Sequence, residues 1–242
     1  MIQQDFIPKQ WRIFSGSALK LIAVISMLID HVGAFLIDQR IVLLHIGEYT
    51  LTLYRLMRDL GRFAFPIFCF LLIEGFLHTH HRTRYGGNLL LLALISEIPY
   101  NLVHTGTLFY PVQNVFFTLF WGYLGLCAID FFREKPPFML LSLIGMAIVS
   151  IPLNADYDIY GFAFILLLYA LREQKILRIF SALLLHNFRF AMIAFLPISL
   201  YNGKRGFIRE PVLKYLFYLI YPLHILIIYL IRLHLVGFAG NR

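Results

Sequence analysis

Charged residues are scarce in this sequence. Lysine, arginine, aspartate and glutamate make up 14% of its 242 residues, below the share of about 25% in soluble domains. Apolar residues make up 60% and aromatic residues 17%, including 24 phenylalanines. So few charges cannot cover that much apolar surface in water. The composition therefore excludes an ordinary soluble domain and predicts one membrane domain over residues 1–242.

Other features are also missing. Cys69 and Cys127 lie inside apolar runs without metal-ligand spacing, so we interpret both as packing residues and expect no metal ion. No basic stripe interleaved with aromatic residues is present, and we expect no nucleic-acid partner. Lys9, Arg12 and Lys20 flank the start of the first apolar run, but no small-residue cleavage site follows it. We therefore expect an uncleaved first helix rather than a signal peptide.

What the sequence does contain is a series of apolar windows near the length of about 20 residues that crosses a bilayer. They lie at Ala18–Ile37, Leu60–Leu77, Tyr85–Val103, Val115–Phe132, Pro137–Leu153, Tyr157–Leu171 and Leu213–Leu233. Two stretches are ambiguous. Ile41–Met57 carries His45, Glu48 and Arg55, which favours an amphipathic helix at the interface. Ile176–Tyr201 fits either one long tilted helix or two short ones broken around His186–Arg189.

The basic residues predict an orientation. A cytoplasmic N-terminus places inside the connections that are rich in Lys and Arg, His78–Gly87, Arg133–Pro136 and Arg172–Arg178. The connections without Lys or Arg, His104–Asn114 and Asn154–Asp158, then lie outside. This distribution follows the positive-inside rule. For Tyr201–Lys214 to lie inside as well, the stretch before it must cross twice or re-enter. The predicted fold is an all-α polytopic bundle of about 8–9 transmembrane helices.

Four ionisable residues fall at one predicted depth. Counting about 1.5 Å per residue from the inner end of each helix places Asp30 and His31 roughly 18–20 Å deep. Glu97 and His224 come out at about 18 Å and about 16 Å. Such groups cost about 2.5 kcal/mol or more in hydrocarbon, so each is a hypothesis for a functional group or for a structural hydrogen bond between helices. The long side chain of Arg62 begins slightly above this level.

Adjacent residues on a helix point about 100° apart, so Asp30 and His31 are not expected to orient each other. We expect Asp30 to pair with Arg62, and His31 to face Glu97 or solvent. A histidine held in this way could exchange protons as a general base.

Polar and basic residues also gather at the predicted cytoplasmic mouth. Glu74 and His78 share a helix face by their i, i+4 spacing and border a basic segment. Such a segment binds phosphate groups, although a basic inner loop also satisfies topology alone. The residues that we expect to contact a phosphorylated ligand are Glu74, His78, Arg82, Arg84, Tyr85, Lys204 and Arg205.

The order of these motifs resembles the TraX family, membrane proteins related to the transmembrane acyltransferases. The stretches that carry the resemblance are LKLIAVISMLIDHVGAFL, GRFAFPIFCFLLIEGFLHTHHRTRY, LISEIPYN, YNGKRG and KYLFYLIYPLHILIIYLI. They span nearly the whole chain in the order of the family. The DH pair of the first helix, the GR-x-x-FP segment with its EGF, and the YPLH of the last helix are together specific.

The resemblance implies an enzyme of the bacterial inner membrane that moves an acetyl group from cytoplasmic acetyl-CoA to the N-terminus of a pilin subunit. It assigns His31 the role of general base or transient acyl carrier, with Asp30 and Arg62 as its polar setting. The depth count adds Glu97 and His224 to the expected catalytic centre. The acceptor stays open among peptide, glycan and lipid groups, in contact with membrane lipids. The residues alone also fit a proton-coupled transporter or a non-catalytic assembly protein.

Overall fold

The chain is mainly helical. The computed structural model describes residues 8–47, 49–185, 188–208 and 211–240, and the chain is 75% helical. Its described α-helices are α1 (Gly16–Leu36), α2 (Leu53–Gly61), α3 (Ala64–His78), α4 (Arg82–Thr105), α5 (Val115–Phe131), α6 (Pro136–Leu153), α7 (Asp158–Ala170), α8 (Lys175–Phe180), α9 (Phe188–Ile193), α10 (Phe195–Ser199) and α11 (Pro211–Gly240). Short 3-10 helices cover Lys9–Trp11 and Ser181–Leu184.

Five helical segments are long and apolar enough to cross a membrane. They are Gly16–Leu36, Leu53–His78, Arg82–Thr105, Pro136–Leu153 and Tyr215–Leu235. Shorter apolar helices, α5 and α7, occupy two more of the predicted windows. Each of the seven windows therefore contains a helix, and the prediction of a helical membrane protein is confirmed.

The core forms around α3. This helix packs against α1, α5 and α7, and its buried residues lie on every side, among them Phe65, Ile67, Cys69 and Phe76. A helix that is apolar all round is stable only when it is enclosed on all sides. By contrast, α6 lies at the edge of the bundle: of its described residues, Ser150 alone is buried.

Two glycines let α1 and α2 approach closely. A β-carbon on Gly61 would lie 2.2 Å from the β-carbon of Asp30, and one on Gly33 would lie 2.7 Å from that of Met57. Only a residue without a side chain fits at these positions. Ser26 fixes the same contact, because its hydroxyl donates to the carbonyl oxygen of Leu60 at 2.7 Å. Asp30 is thus held against the end of α2.

The prediction of an amphipathic helix over Ile41–Met57 is wrong for most of that range. Strands β1 (Val42–Ile46) and β2 (Tyr49–Thr52) form an antiparallel hairpin instead. β-branched and aromatic side chains favour extended backbone, and Gly47 adopts a φ of +58° in the turn. Glu48 lies outside the described residues. A helix begins only at Leu53, where the hydroxyl of Thr52 caps it.

The ambiguous stretch Ile176–Tyr201 is broken into short helices, as one of the two alternatives predicted, and His186 and Asn187 lie outside the described residues. Its two ends contact residues of α3 that lie less than two helical turns apart. Tyr169, just before the stretch, contacts Phe76 with ring centroids 6.0 Å apart. Tyr201, at its end, contacts Phe70 at 5.3 Å. The stretch therefore leaves one end of the bundle and returns to it.

The helix ends define two faces. We name the end of the bundle where α1 begins the basic face; it holds the connections 79–81, 132–135, 171–174 and 201–208. There Tyr201 pairs with Phe14. The opposite end is the hairpin face, which holds β1, β2 and the connections 106–114 and 154–157. A backbone bridge between Gln113 and Ala155 joins the last two connections.

Candidate functional site

Two histidines from the first and last helices meet inside the bundle. Nδ1 of His31 lies 2.6 Å from Nε2 of His224, and the two rings are nearly parallel. Tyr221 packs edge-on against both rings, with centroids 5.9 and 5.5 Å away. The sequence predicts a similar depth for these two histidines, and the structure shows that they are in direct contact.

The hydrogen bonds assign the protons of this pair. Nδ1 of His224 lies 2.7 Å from the carbonyl oxygen of Ile220, which only accepts, so this nitrogen carries a hydrogen. Nε2 of neutral His224 is then an acceptor, and Nδ1–H of His31 donates to it. His31 is left with the lone pair of its Nε2. An imidazole oriented in this way has the geometry of a general base or a nucleophile.

Asp30 has a different partner from the one expected. Nη1 of Arg58 donates to Oδ2 of Asp30 at 2.5 Å, whereas Arg62 acts on the carboxylate only as a neighbouring charge. Arg58 lies one helical turn before Arg62, within α2, whereas Arg62 follows the last residue of that helix. The other carboxylate oxygen, Oδ1, and Nε of Arg62 are buried without a hydrogen-bond partner in the described part of the chain.

Asp156 approaches the same charges from the connection 154–157. The hydroxyl of Tyr100 donates to its carboxylate, and Asp30, Arg58 and Arg62 all act on it. Burial raises the pKa of Asp156 to about 6, and the charge of Asp30 adds to the rise. Its side chain is nevertheless exposed to solvent. Neighbouring protein atoms thus desolvate this carboxyl while water still reaches it on the hairpin face.

Glu97 ties two helices together instead of facing His31. The side-chain amide of Asn114 donates to Oε2 of Glu97 at 2.6 Å and to the carbonyl oxygen of Ala93 at 2.8 Å. The same asparagine caps α5 by accepting from the backbone N–H of Phe116. The carboxylate therefore lies at the positive end of α5. The expectation that Glu97 would be a partner of His31 is wrong, because Asn114 takes its carboxylate and Nδ1 of His31 meets His224.

The residues expected at the cytoplasmic mouth lie on the basic face. One group is at the end of α3 and the start of α4, and the other is in the connection 201–208. Glu74 and His78 interact as predicted, with Nδ1 of His78 donating to the carbonyl oxygen of Glu74 at 2.8 Å. Arg82 pairs with Asp130 and lies over the ring of Phe76 at 4.3 Å. These contacts give Arg82 a structural role.

The remaining members differ in how accessible they are. Tyr85 is half-buried, with its ring 5.1 Å from that of Tyr123, whereas Arg84 is exposed. The side chains of Lys204 and Arg205 are exposed as well. Their backbone carbonyls accept hydrogen bonds from Gly16 and Ser17, which satisfies the N-terminus of α1. Arg84, Lys204 and Arg205 are therefore the members free to meet a ligand on this face.

Sequence reasoning missed Arg58 and Asp156. Arg58 is four residues before Arg62, so both occupy one side of any helix through this segment, a signal that was visible. Asp156 carries no such signal, because its position depends on how the connection 154–157 folds. The described residues hold no group of three His, Cys, Asp or Glu side chains placed to bind a metal ion.

Comparison with known proteins decides the family. The family described as "TraX protein" matches residues 15–232, nearly the whole chain. The chain belongs to the TraX family. Asp30, His31, Arg58, Asp156 and His224 all lie inside the range that matches TraX.

The chain is also similar to a named relative, "Probable fimbrial assembly protein FimC, serogroup H1" of Dichelobacter nodosus. The two are 28% identical over 243 aligned residues, which cover 88% of this chain and 93% of the relative. No solved structure gives a significant match.

Proposed function

We propose that this TraX protein is an acyltransferase of the bacterial inner membrane. It moves an acetyl group from cytoplasmic acetyl-CoA to an acceptor in the envelope, with the N-terminal amine of a pilin subunit as the preferred acceptor. The observation that carries the proposal is the hydrogen-bonded pair of His31 and His224, which leaves Nε2 of His31 unprotonated inside the bundle.

In the proposed reaction Nε2 of His31 removes a proton from the attacking amine. The amine nitrogen bonds to the thioester carbonyl carbon, the carbon–sulfur bond breaks, and the departing thiolate takes the proton from His31. His224 stabilises the transient imidazolium by accepting its second N–H. In the acyl-carrier alternative, Nε2 attacks the thioester first and then passes the acetyl group to the acceptor. Both routes need the same oriented nitrogen.

The two faces of the bundle suit the two substrates. With the N-terminus in the cytoplasm, the basic face meets the anionic donor, and the exposed side chains of Arg84, Lys204 and Arg205 are the proposed contacts for the phosphates of CoA. The stretch Ile176–Tyr201 then re-enters from the cytoplasm without crossing. This topology has nine inserted segments, of which two are the halves of the re-entrant stretch.

The hairpin face suits the acceptor. The carboxylate of Asp156 is within reach of water and attracts an α-ammonium group, which a pilin N-terminus carries before it reacts. Arg58 and Asp30 form an ion pair whose charges act on Asp156, and Asp30 precedes His31 in α1. The α-ammonium group is proposed to lose one proton to water beside Asp156, and the neutral amine then passes to His31, which removes the second proton as the amine attacks.

A non-catalytic part in fimbrial assembly is the second candidate. The name of the relative favours it, because that protein is named for assembly and not for a reaction. In this case the polar groups inside the bundle serve only to hold helices together.

The test is transfer of label from radiolabelled acetyl-CoA to an envelope fraction by purified protein in proteoliposomes. Wild type is expected to transfer label, and His31→Ala is expected to transfer none while it stays folded. Equal transfer by the two proteins excludes His31 chemistry. If neither transfers label, assembly without catalysis is the better description. Uptake driven by a pH gradient, with no covalent product, would identify a transporter.

A further inference from the structure

A small cavity on the basic face is separate from the histidine pair. It lies between α3, α7 and α8 and has a volume of about 110 Å³. Four charged side chains line it, Glu74, Arg172, Glu173 and Arg178, together with apolar side chains of α3 and α7. Neither His31 nor His224 is among the residues that line it. The proposed acyl transfer does not use it.

Nε of Arg178 lacks a hydrogen-bond acceptor beside this cavity. The exposed fraction of Arg178 is 7%, and its Nε has no hydrogen-bond partner among the described residues. Glu74 attracts the guanidinium electrostatically, and the ring of Phe70 lies 5.6 Å from it, but neither contact supplies an acceptor for Nε. A buried N–H without an acceptor is costly, since it has lost water and gained no hydrogen bond. A ligand that supplies an anionic oxygen removes this cost.

The charges that line the cavity favour a ligand that carries both a negative and a positive group. Two guanidinium groups and two carboxylates balance each other, and Arg172 and Glu173 pair at 3.6 Å at the rim. A ligand with only negative charge, such as the phosphates of CoA, would be repelled by Glu74 and Glu173. A ligand that carries a phosphate and a primary ammonium satisfies both signs at once. The volume is also well below the roughly 300 Å³ of pockets for drug-sized molecules.

The surroundings of the cavity are apolar and exposed. Leu77, Ile176, Leu177 and Phe180 have exposed fractions between 44% and 52% and lie near the ends of α3 and α8, where a helix meets the headgroup layer. Acyl chains would cover these side chains in a bilayer. The ligand is therefore expected to be attached to a lipid.

We propose that this cavity binds the phosphoethanolamine headgroup of a membrane phospholipid. Arg178 and Arg172 hold the phosphate, and Glu74 and Glu173 accept hydrogen bonds from the ammonium. Binding of this headgroup would hold the short helix α8, and with it the stretch Ile176–Tyr201, at the basic face.

The test is lipid binding to delipidated protein in detergent, followed by native mass spectrometry and by the melting temperature. Phosphatidylethanolamine is expected to bind wild type at least about tenfold more tightly than phosphatidylglycerol, which has the phosphate but no ammonium. Arg178→Gln is expected to lose the tight binding of phosphatidylethanolamine. Glu74→Gln is expected to remove the preference between the two lipids. Arg133→Gln, an exposed change on the same face outside the cavity, is the matched control and is expected to bind as wild type.

Equal binding of the two lipids by wild type would overturn the proposal. Unchanged lipid preference in Glu74→Gln would overturn it too, and this variant decides the matter if Arg178→Gln fails to fold. Soluble phosphoethanolamine tests the source of the headgroup. Binding of the soluble compound without binding of the lipid would refute a lipid site. Acetyl transfer is expected to persist in Glu173→Gln, which changes the cavity alone, so failure of this proposal and failure of the acyltransferase proposal are distinguishable.

Discussion

Replacing His224 by phenylalanine tests the role of the histidine pair. Phenylalanine keeps a flat apolar ring but cannot accept a hydrogen bond from Nδ1 of His31. In the folded protein this bond is 2.6 Å long, and His224 is 8% exposed, so water does not readily replace the lost partner. This hydrogen bond is strongest when His31 has taken a proton and become cationic, which occurs in the transition state of the proposed transfer.

The magnitude follows from that change in charge. A hydrogen bond to a charged group contributes about 1.5–3 kcal/mol. Losing it only in the transition state lowers the rate by about 10- to 150-fold. The lost partner also makes His31 harder to protonate, so the basic group in the pH profile of kcat/KM is expected to titrate at a lower pH than in wild type.

The assay is single-turnover transfer from radiolabelled acetyl-CoA to envelope acceptors across a pH series. His224→Gln is the matched control, because its side-chain oxygen accepts a hydrogen bond near the position of Nε2; it is expected to retain more activity than His224→Phe. A folded His224→Phe protein with the rate and pH profile of wild type would refute the argument.

Three further changes probe the charges beside His31. Gly61→Ala places a β-carbon 2.2 Å from that of Asp30 and is expected to cost about 1–3 kcal/mol of unfolding free energy, whereas Gly145→Ala, which meets nothing within 4 Å, is expected to cost nothing measurable. Arg58→Gln leaves Asp30 without its ion pair and is expected to cost up to about 3 kcal/mol; adding Asp30→Asn should restore most of that loss, and a double variant no more stable than Arg58→Gln would contradict the pairing. Since burial raises the pKa of Asp156 to about 6, the folded protein favours the protonated carboxyl, and this contribution to stability is lost as the pH rises through 6. Asp156→Asn is therefore expected to melt higher than wild type above pH 6 and not near pH 4, and a difference that is independent of pH would count against the raised pKa of Asp156.

The long helices were predictable because their signal is one-dimensional. Apolar runs such as α1 and α4 are bounded by charges, glycine or proline, and they need only length and composition to be recognised. Depth is also one-dimensional, so counting along each helix placed His31 and His224 at a common level. The short strand β1 was missed because its five residues, VLLHI, are too few to show a clear helical or strand periodicity.

The partners of the polar groups were harder to predict, because depth does not determine how a helix is rotated. Asp30 lies at the level of Arg62 but faces Arg58, since Gly61 brings the end of α2 directly against it. Glu97 has the right depth to meet His31, yet its carboxylate accepts a hydrogen bond from Asn114 at the start of α5. Asp156 depends on the packing of a connection and not on any periodic pattern.

The most direct test of the account is the acetylation state of envelope proteins in cells. A strain that lacks this protein is complemented with wild type, with His31→Gln or with an empty vector, and the N-termini of its pilin subunits are analysed by mass spectrometry. The account predicts acetylated N-termini with wild type alone, at equal membrane levels of the two proteins. Acetylated N-termini in the strain that carries His31→Gln would contradict it.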